Sequence, residues 1–169
     1  MLRVSEYAEL LADLICLDTK IIKRIKKGAL FHDLGKILIN NNILNKDTKL
    51  TSDEFEILKK HCILGIEILD EENEDCIVEN IILFHHEKWN GKGYPRGLKG
   101  LEIPLEARIV SIVDVYDALR QKRVYKDGFT HEKAIEIIRS ESGKSFDPNI
   151  VKIFLENGVK FERLFNSNV

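Results

Sequence analysis

Several short stretches place ligand and acid–base residue types where a helical core would otherwise run. Residues 82–97, ILFHHEKWNGKGYPRG, set His85 and His86 side by side at the end of an apolar run, ahead of a glycine-rich turn. Neighbours on a helix point about 100° apart, so both rings cannot lie on one core face. ALFHDLGKI carries His32 and Asp33 at the end of an apolar helix, followed by Gly35 and Lys36. KKHCILGIEIL puts His61 beside an apolar run. In SIVDVYDAL, Asp114 sits between Val113 and Val115, where a carboxylate is costly unless paired, hydrogen-bonded or metal-bound.

Histidines and carboxylates projecting into a helical bundle are the makings of a metal site. Mixed nitrogen and oxygen donors suit iron, manganese or zinc better than magnesium or calcium, and a carboxylate such as Asp33 can bridge two ions. Simpler roles exist for each residue taken alone. His32 fits a satisfied helix-end histidine and His61 a surface residue. Asp114 fits an ion pair with Arg108 or Arg123. His131 directly follows a helix cap and reads as surface.

The elements that must position these residues have helical spacing. Leu2, Val4, Tyr7, Ala8, Leu10, Leu11, Leu14 and Ile15 form an amphipathic first helix, with Ser5, Glu6, Glu9 and Asp13 on its polar face. Asp18 or Thr19 caps a second helix running toward His32. NNNILNKDTK reads as a loop. TSDE, Thr51 to Glu54, fits a capping box and starts a helix expected to reach Leu69. A further helix is expected over about 75–87, then a long Gly/Pro-rich loop over 89–104. LEARIVSIVDVYDAL is helical by pattern, with a strand as the minor alternative. Thr130 caps HEKAIEIIRS, and Asp147-Pro148 starts the next helix. The expectation is a single all-α domain of about six to eight helices.

The bulk numbers bound the partners. With 169 residues, 44% apolar and 32% charged, the chain is long enough for one buried core. A formal charge of −2 argues against DNA, RNA or an anionic membrane as partner, so phosphate chemistry needs a local basic patch. Cys16, Cys62 and Cys76 show no CxxC spacing, fitting a reducing, cytoplasmic setting with the thiols as small core hydrophobes. No apolar run approaches a membrane span or a signal peptide. Leu2, Tyr7 and Leu10 hint at a homodimer contact.

HDLGK at 32–36, HHEKWNGKGYP at 85–95 and DVYDAL at 114–119 together resemble the HD-GYP domain, a subgroup of the HD metal-dependent phosphohydrolases. LTSDEFEILKKHCILGIEIL and SGKSFDPNIV also fit, and the resemblance covers nearly the whole chain. It implies an HD-type all-α fold with a di- or trinuclear iron or manganese centre that hydrolyses cyclic di-GMP or a related cyclic dinucleotide. Carried over by position, the metal ligands are His32, Asp33, His61, His85, His86 and Asp114, with Asp33 bridging. Lys36 is expected near the scissile phosphate and, with Asp33, in catalysis. Gly93, Tyr94 and Pro95 are expected to shape a substrate loop, and Arg123 and Lys126 to meet phosphate oxygens.

The sequence also departs from that family. Its members usually carry a histidine three residues before the arginine aligned with Arg3, a position immediately before Met1 here, and some carry a glutamate one turn earlier. Val124 stands where proline is usual. The expectation over 1–169 is therefore an HD-GYP-like domain lacking its first metal-binding turn and any upstream sensory or receiver segment. His61, His85, His86 and Asp33 complete one metal position, while His32, Asp33 and Asp114 leave the other depleted. A catalytically impaired module that binds a cyclic dinucleotide or a protein is the alternative to an enzyme, and an HD phosphohydrolase acting on other phosphate esters is a third reading.

Overall fold

The computed structural model describes residues 2–69, 75–121 and 128–167. Within them the chain is all-helical: α1 (Leu2–Leu14), α2 (Thr19–Phe31), α3 (Asn41–Leu44), α4 (Ser52–Lys59), α5 (His61–Ile68), α6 (Cys76–Phe84), α7 (Leu105–Arg120), α8 (His131–Ser140), α9 (Pro148–Glu156) and α10 (Gly158–Ser167). Short 3-10 turns span Leu34–Leu38 and Gly100–Glu102. The strand alternative for residues 105–120 is excluded.

The expected caps form. Asp18 accepts from the Lys20 amide at 2.8 Å, and Thr51 and Glu54 make the reciprocal capping box. Asp147 accepts from Asn149 N at 2.8 Å, with Pro148 in the first turn. Asp75 caps α6 and also takes three hydrogen bonds from Arg24, at 2.6, 2.9 and 3.0 Å, tying α6 to α2.

The elements are more finely divided than the sequence predicts. The helix expected from Thr51 to Leu69 breaks at Lys60, whose amide reaches back only three residues, to Ile57 O. The stretch expected to be loop contains α3, capped by Asn40.

The main core lies where α1 crosses α2, α7 and α10. Tyr7 and Tyr116 meet edge-on at 5.4 Å, and Phe154 and Phe161 at 4.4 Å, all fully buried. Tyr7 therefore cannot serve the expected dimer contact, because it closes the chain's own core. Two of the three cysteines also depart from expectation. Only Cys62 is buried, whereas Cys16 and Cys76 are exposed at helix boundaries. His131, read as surface, is half-buried, its Nδ1 2.9 Å from the Tyr116 hydroxyl. No helix among the described residues is long and apolar enough to cross a membrane.

Candidate metal centre

The end of α2, the start of α5, the end of α6 and the middle of α7 converge. They bring together His32 and Asp33, His61, His85 and His86, and Asp114. Gly35 makes the approach possible: a Cβ there would collide with the His61 carbonyl and the Gly65 amide. The turn bearing Asp33 and Lys36 thus lies directly on the α5 backbone.

Three of the rings are oriented in the same way. Nδ1 of His32 donates to Ala29 O at 2.7 Å and Nδ1 of His61 to Leu58 O at 2.7 Å. Nδ1 of His85 faces Ile81 O and Ile82 O at 2.9 and 3.1 Å. A carbonyl only accepts, so each Nδ1 carries a proton and each Nε2 is turned toward Asp33. This is the usual way a protein fixes the tautomer of a ligating histidine.

Asp33 stands between two groups of donors. Its Oδ2 lies 3.4 Å from His32 Nε2, which is also 3.4 Å from Asp114 Oδ1. Its Oδ1 lies 3.5 Å from His61 Nε2 and 3.9 Å from His85 Nε2. Asp33, His61, His85 and His86 each offer an atom within 4.8 Å of the others. Asp33 Oδ1 and His85 Nε2 are buried with no hydrogen-bond partner among the described residues. Orphaned buried atoms of this kind are costly, and a cation held between them removes the cost. The donor set therefore fits a metal centre.

Protonation follows the same division. Burial opposes charge on His32, but the hydrogen bonds and charges of Asp114 and Asp33 outweigh it and raise its pKa to about 10. Burial also opposes ionisation of Asp33, yet His32 and Lys36 hold its carboxyl well below the ordinary range. Burial holds His61 and His85 below the usual histidine value and pushes His86 down to about 3. Those rings are neutral, as ligation requires. Cys62 lies 3.5 Å from His61 Nε2, but burial lifts its thiol to about 12, so it offers no thiolate.

Lys36 Nζ sits 2.6 Å from Asp33 Oδ2. Tyr94 packs its ring 4.8 Å from that of His86. Gly93 lies so close to the backbone of Glu87 and Lys88 that a Cβ would collide with it, and the Tyr94–Pro95 peptide is cis. Of the two arginines weighed for Asp114, Arg108 is bound instead to Asp147 at 2.5 Å, and Arg123 lies outside the described residues. Lys126 lies outside them too.

Sequence reasoning assigned no role to Glu87. It is 2% exposed, and its carboxylate accepts the amides of Arg96, Gly97 and Leu98 at 2.7, 3.0 and 3.0 Å. It thereby holds the loop that carries Tyr94 closed over the histidines. Its place directly after His86 was the available signal. The Trp89 and Asn90 amides, bonded to Ser145 O and Lys144 O at 3.1 and 2.9 Å, fix the same loop to the 141–147 segment.

The chain is similar to several known proteins. The family model described as HD domain matches residues 2–150. A probable cyclic di-GMP phosphodiesterase of Vibrio cholerae is 40% identical over 171 residues, covering 92% of this chain and 39% of that protein. A 3'3'-cGAMP-specific phosphodiesterase 2 of the same organism is 40% identical over 161 residues, covering 94% of this chain and 31% of its own length. The chain thus spans well under half the length of these relatives. Among solved structures, the HDG"Y"P protein Bd1817 of Bdellovibrio bacteriovorus superposes with a TM-score of 0.72 at 27% identity, over 94% of this chain and 51% of that one.

Proposed function

The chain belongs to the HD domain family, in its HD-GYP group, and on that premise we propose that it is a metal-dependent phosphodiesterase hydrolysing cyclic di-GMP to a linear dinucleotide or GMP. The observation that carries the reading is Asp33, whose two oxygens face separate donor groups. His61, His85 and His86 with Asp33 would hold one ion, and His32 and Asp114 with Asp33 a second, iron or manganese by donor type. Such ions would lower the pKa of a bound water and draw off charge building on the phosphoryl oxygens.

The protein's own groups supply the rest. The fixed Nδ1 protons keep the imidazoles from turning, so the donors are in place before substrate arrives. Lys36, held beside Asp33, would meet a phosphoryl oxygen, with Arg123 and Lys126 as further cationic donors. Tyr94, braced through Glu87, walls the substrate side of His86. That all three cysteines are free thiols supports a cytosolic setting.

The test is an anaerobic assay of cyclic di-GMP with Fe(II) or Mn(II) added, with products separated by chromatography. Turnover that stops with a chelator is expected. Tight binding of cyclic di-GMP with no product would favour the non-catalytic module instead.

A further inference from the structure

A pocket of about 250 Å³ opens beside the candidate metal centre. It is lined by His85, His86, Lys88 and Asp114 together with Glu141, Ser145 and Phe146. Drug-sized ligands usually occupy roughly 300–1,000 Å³, so this space suits one planar base and not a whole dinucleotide. A phosphodiester at the ligand residues would carry its sugar and base into just such a neighbouring space.

Glu141 is a peculiar residue to find there. A carboxylate near the binding place of an anionic substrate repels it unless it meets a group that presents hydrogens. The side chain is held in place: Oε2 accepts from Ser145 Oγ at 2.7 Å. The Glu141 carbonyl receives the amides of Lys144, Ser145 and Phe146 at 3.1, 3.0 and 3.2 Å. Two lysines are near: Lys144 stands 4.0 Å from this carboxylate and is mostly exposed, and Lys88 lines the same pocket. Arg108–Asp147 and the Trp89 and Asn90 amides lock the same segment to the loop over the histidines. A rigid carboxylate therefore faces a base-sized space next to the reacting position.

We propose that this pocket binds a guanine base of the substrate through Glu141. The inference rests on the phosphodiesterase reading and adds the residue that would select guanine. An ionised carboxylate only accepts hydrogen bonds. Guanine offers two adjacent donors, N1–H and the N2 amine, which match the two oxygens of a carboxylate. Adenine offers one donor beside the N1 lone pair, which the carboxylate repels. Phe146 and Val115 supply apolar surface for the ring.

The test is calorimetric titration of the Mn(II)-loaded full chain with GMP and with AMP. The wild type should bind GMP roughly 10- to 100-fold tighter than AMP, the range a two-point base contact gives. Glu141→Gln, which keeps the shape but turns one acceptor into a donor, should bring the ratio near one. Ser145→Ala, which removes only the tether, should give an intermediate ratio. Equal affinities in the wild type, or a preference that survives Glu141→Gln at wild-type melting temperature, would overturn the inference. Cyclic di-GMP turnover measured alongside separates the two ideas. A Glu141-dependent GMP preference without turnover keeps the pocket and removes the phosphodiesterase reading, and turnover without base preference does the reverse.

Discussion

Asp33 and His32 concentrate the electrostatics of the centre, and they make a measurable prediction. His32 is raised to about 10 by Asp114 and Asp33 against the cost of burial. The metal-free protein thus carries an imidazolium at His32 at pH 8, while His61, His85 and His86 are already neutral. The stability this group contributes is fully present below its unfolded value of 6.5 and is lost as pH rises through 10. A cation taken up through His32 Nε2 must displace the proton. Calorimetry of Mn(II) binding at pH 8 in buffers of different ionisation enthalpy should show about one proton released by the wild type and none by His32→Gln. The same release from both proteins would mean that His32 is not a ligand. At this scale the sequence was readable by type and flank. Asp114 stood out because its apolar neighbours gave it no ordinary reason to be polar, whereas His61, following Lys59 and Lys60, read equally well as a surface residue. The division of labour between the two oxygens of Asp33 was not readable from spacing, since it depends on how four separate helices converge.

The element that governs access is the loop between α6 and α7, and Glu87 governs the loop. Its three backbone partners sit nine to eleven residues on, in a stretch with no side-chain periodicity, so nothing in the sequence pattern marks the pairing. Glu87→Gln would aim an amide donor at backbone donors. Leaving one such buried group unsatisfied costs roughly 1–3 kcal/mol. Hydrogen exchange should then show faster exchange at Arg96, Gly97 and Leu98, and cyclic di-GMP turnover should fall. Unchanged protection at those amides would contradict the bracing role. The break at Lys60 was hidden for a related reason. The residues around it keep a helical pattern, and only the loss of the four-residue hydrogen bond separates α4 from α5.

In the whole molecule, the all-helical fold and its caps were legible because periodicity and Asp, Thr and Pro signals agree along the chain. The assignment of Tyr7 to the core was not, because an apolar residue on α1 could equally face a second copy. The aromatic cluster and the metal centre share α7, through Tyr116 and Asp114, whereas Phe161 on α10 belongs to the cluster alone. Phe161→Ala should therefore cost about 3–5 kcal/mol in denaturant unfolding, the usual penalty for emptying a buried aromatic site. Its metal content at low temperature should stay that of the wild type, and metal loss without lost stability would show that the cluster and the centre are not separate.

The most direct test of the central claim compares the wild type with Asp33→Ala, both prepared without oxygen and reconstituted with Fe(II) or Mn(II). Bound metal and cyclic di-GMP turnover are read on the same samples. Wild-type turnover is predicted, with a fall of roughly a thousandfold in the variant, several kcal/mol of lost charge stabilisation, together with weakened metal retention. A variant that keeps both its metal and its turnover would contradict a centre built on Asp33.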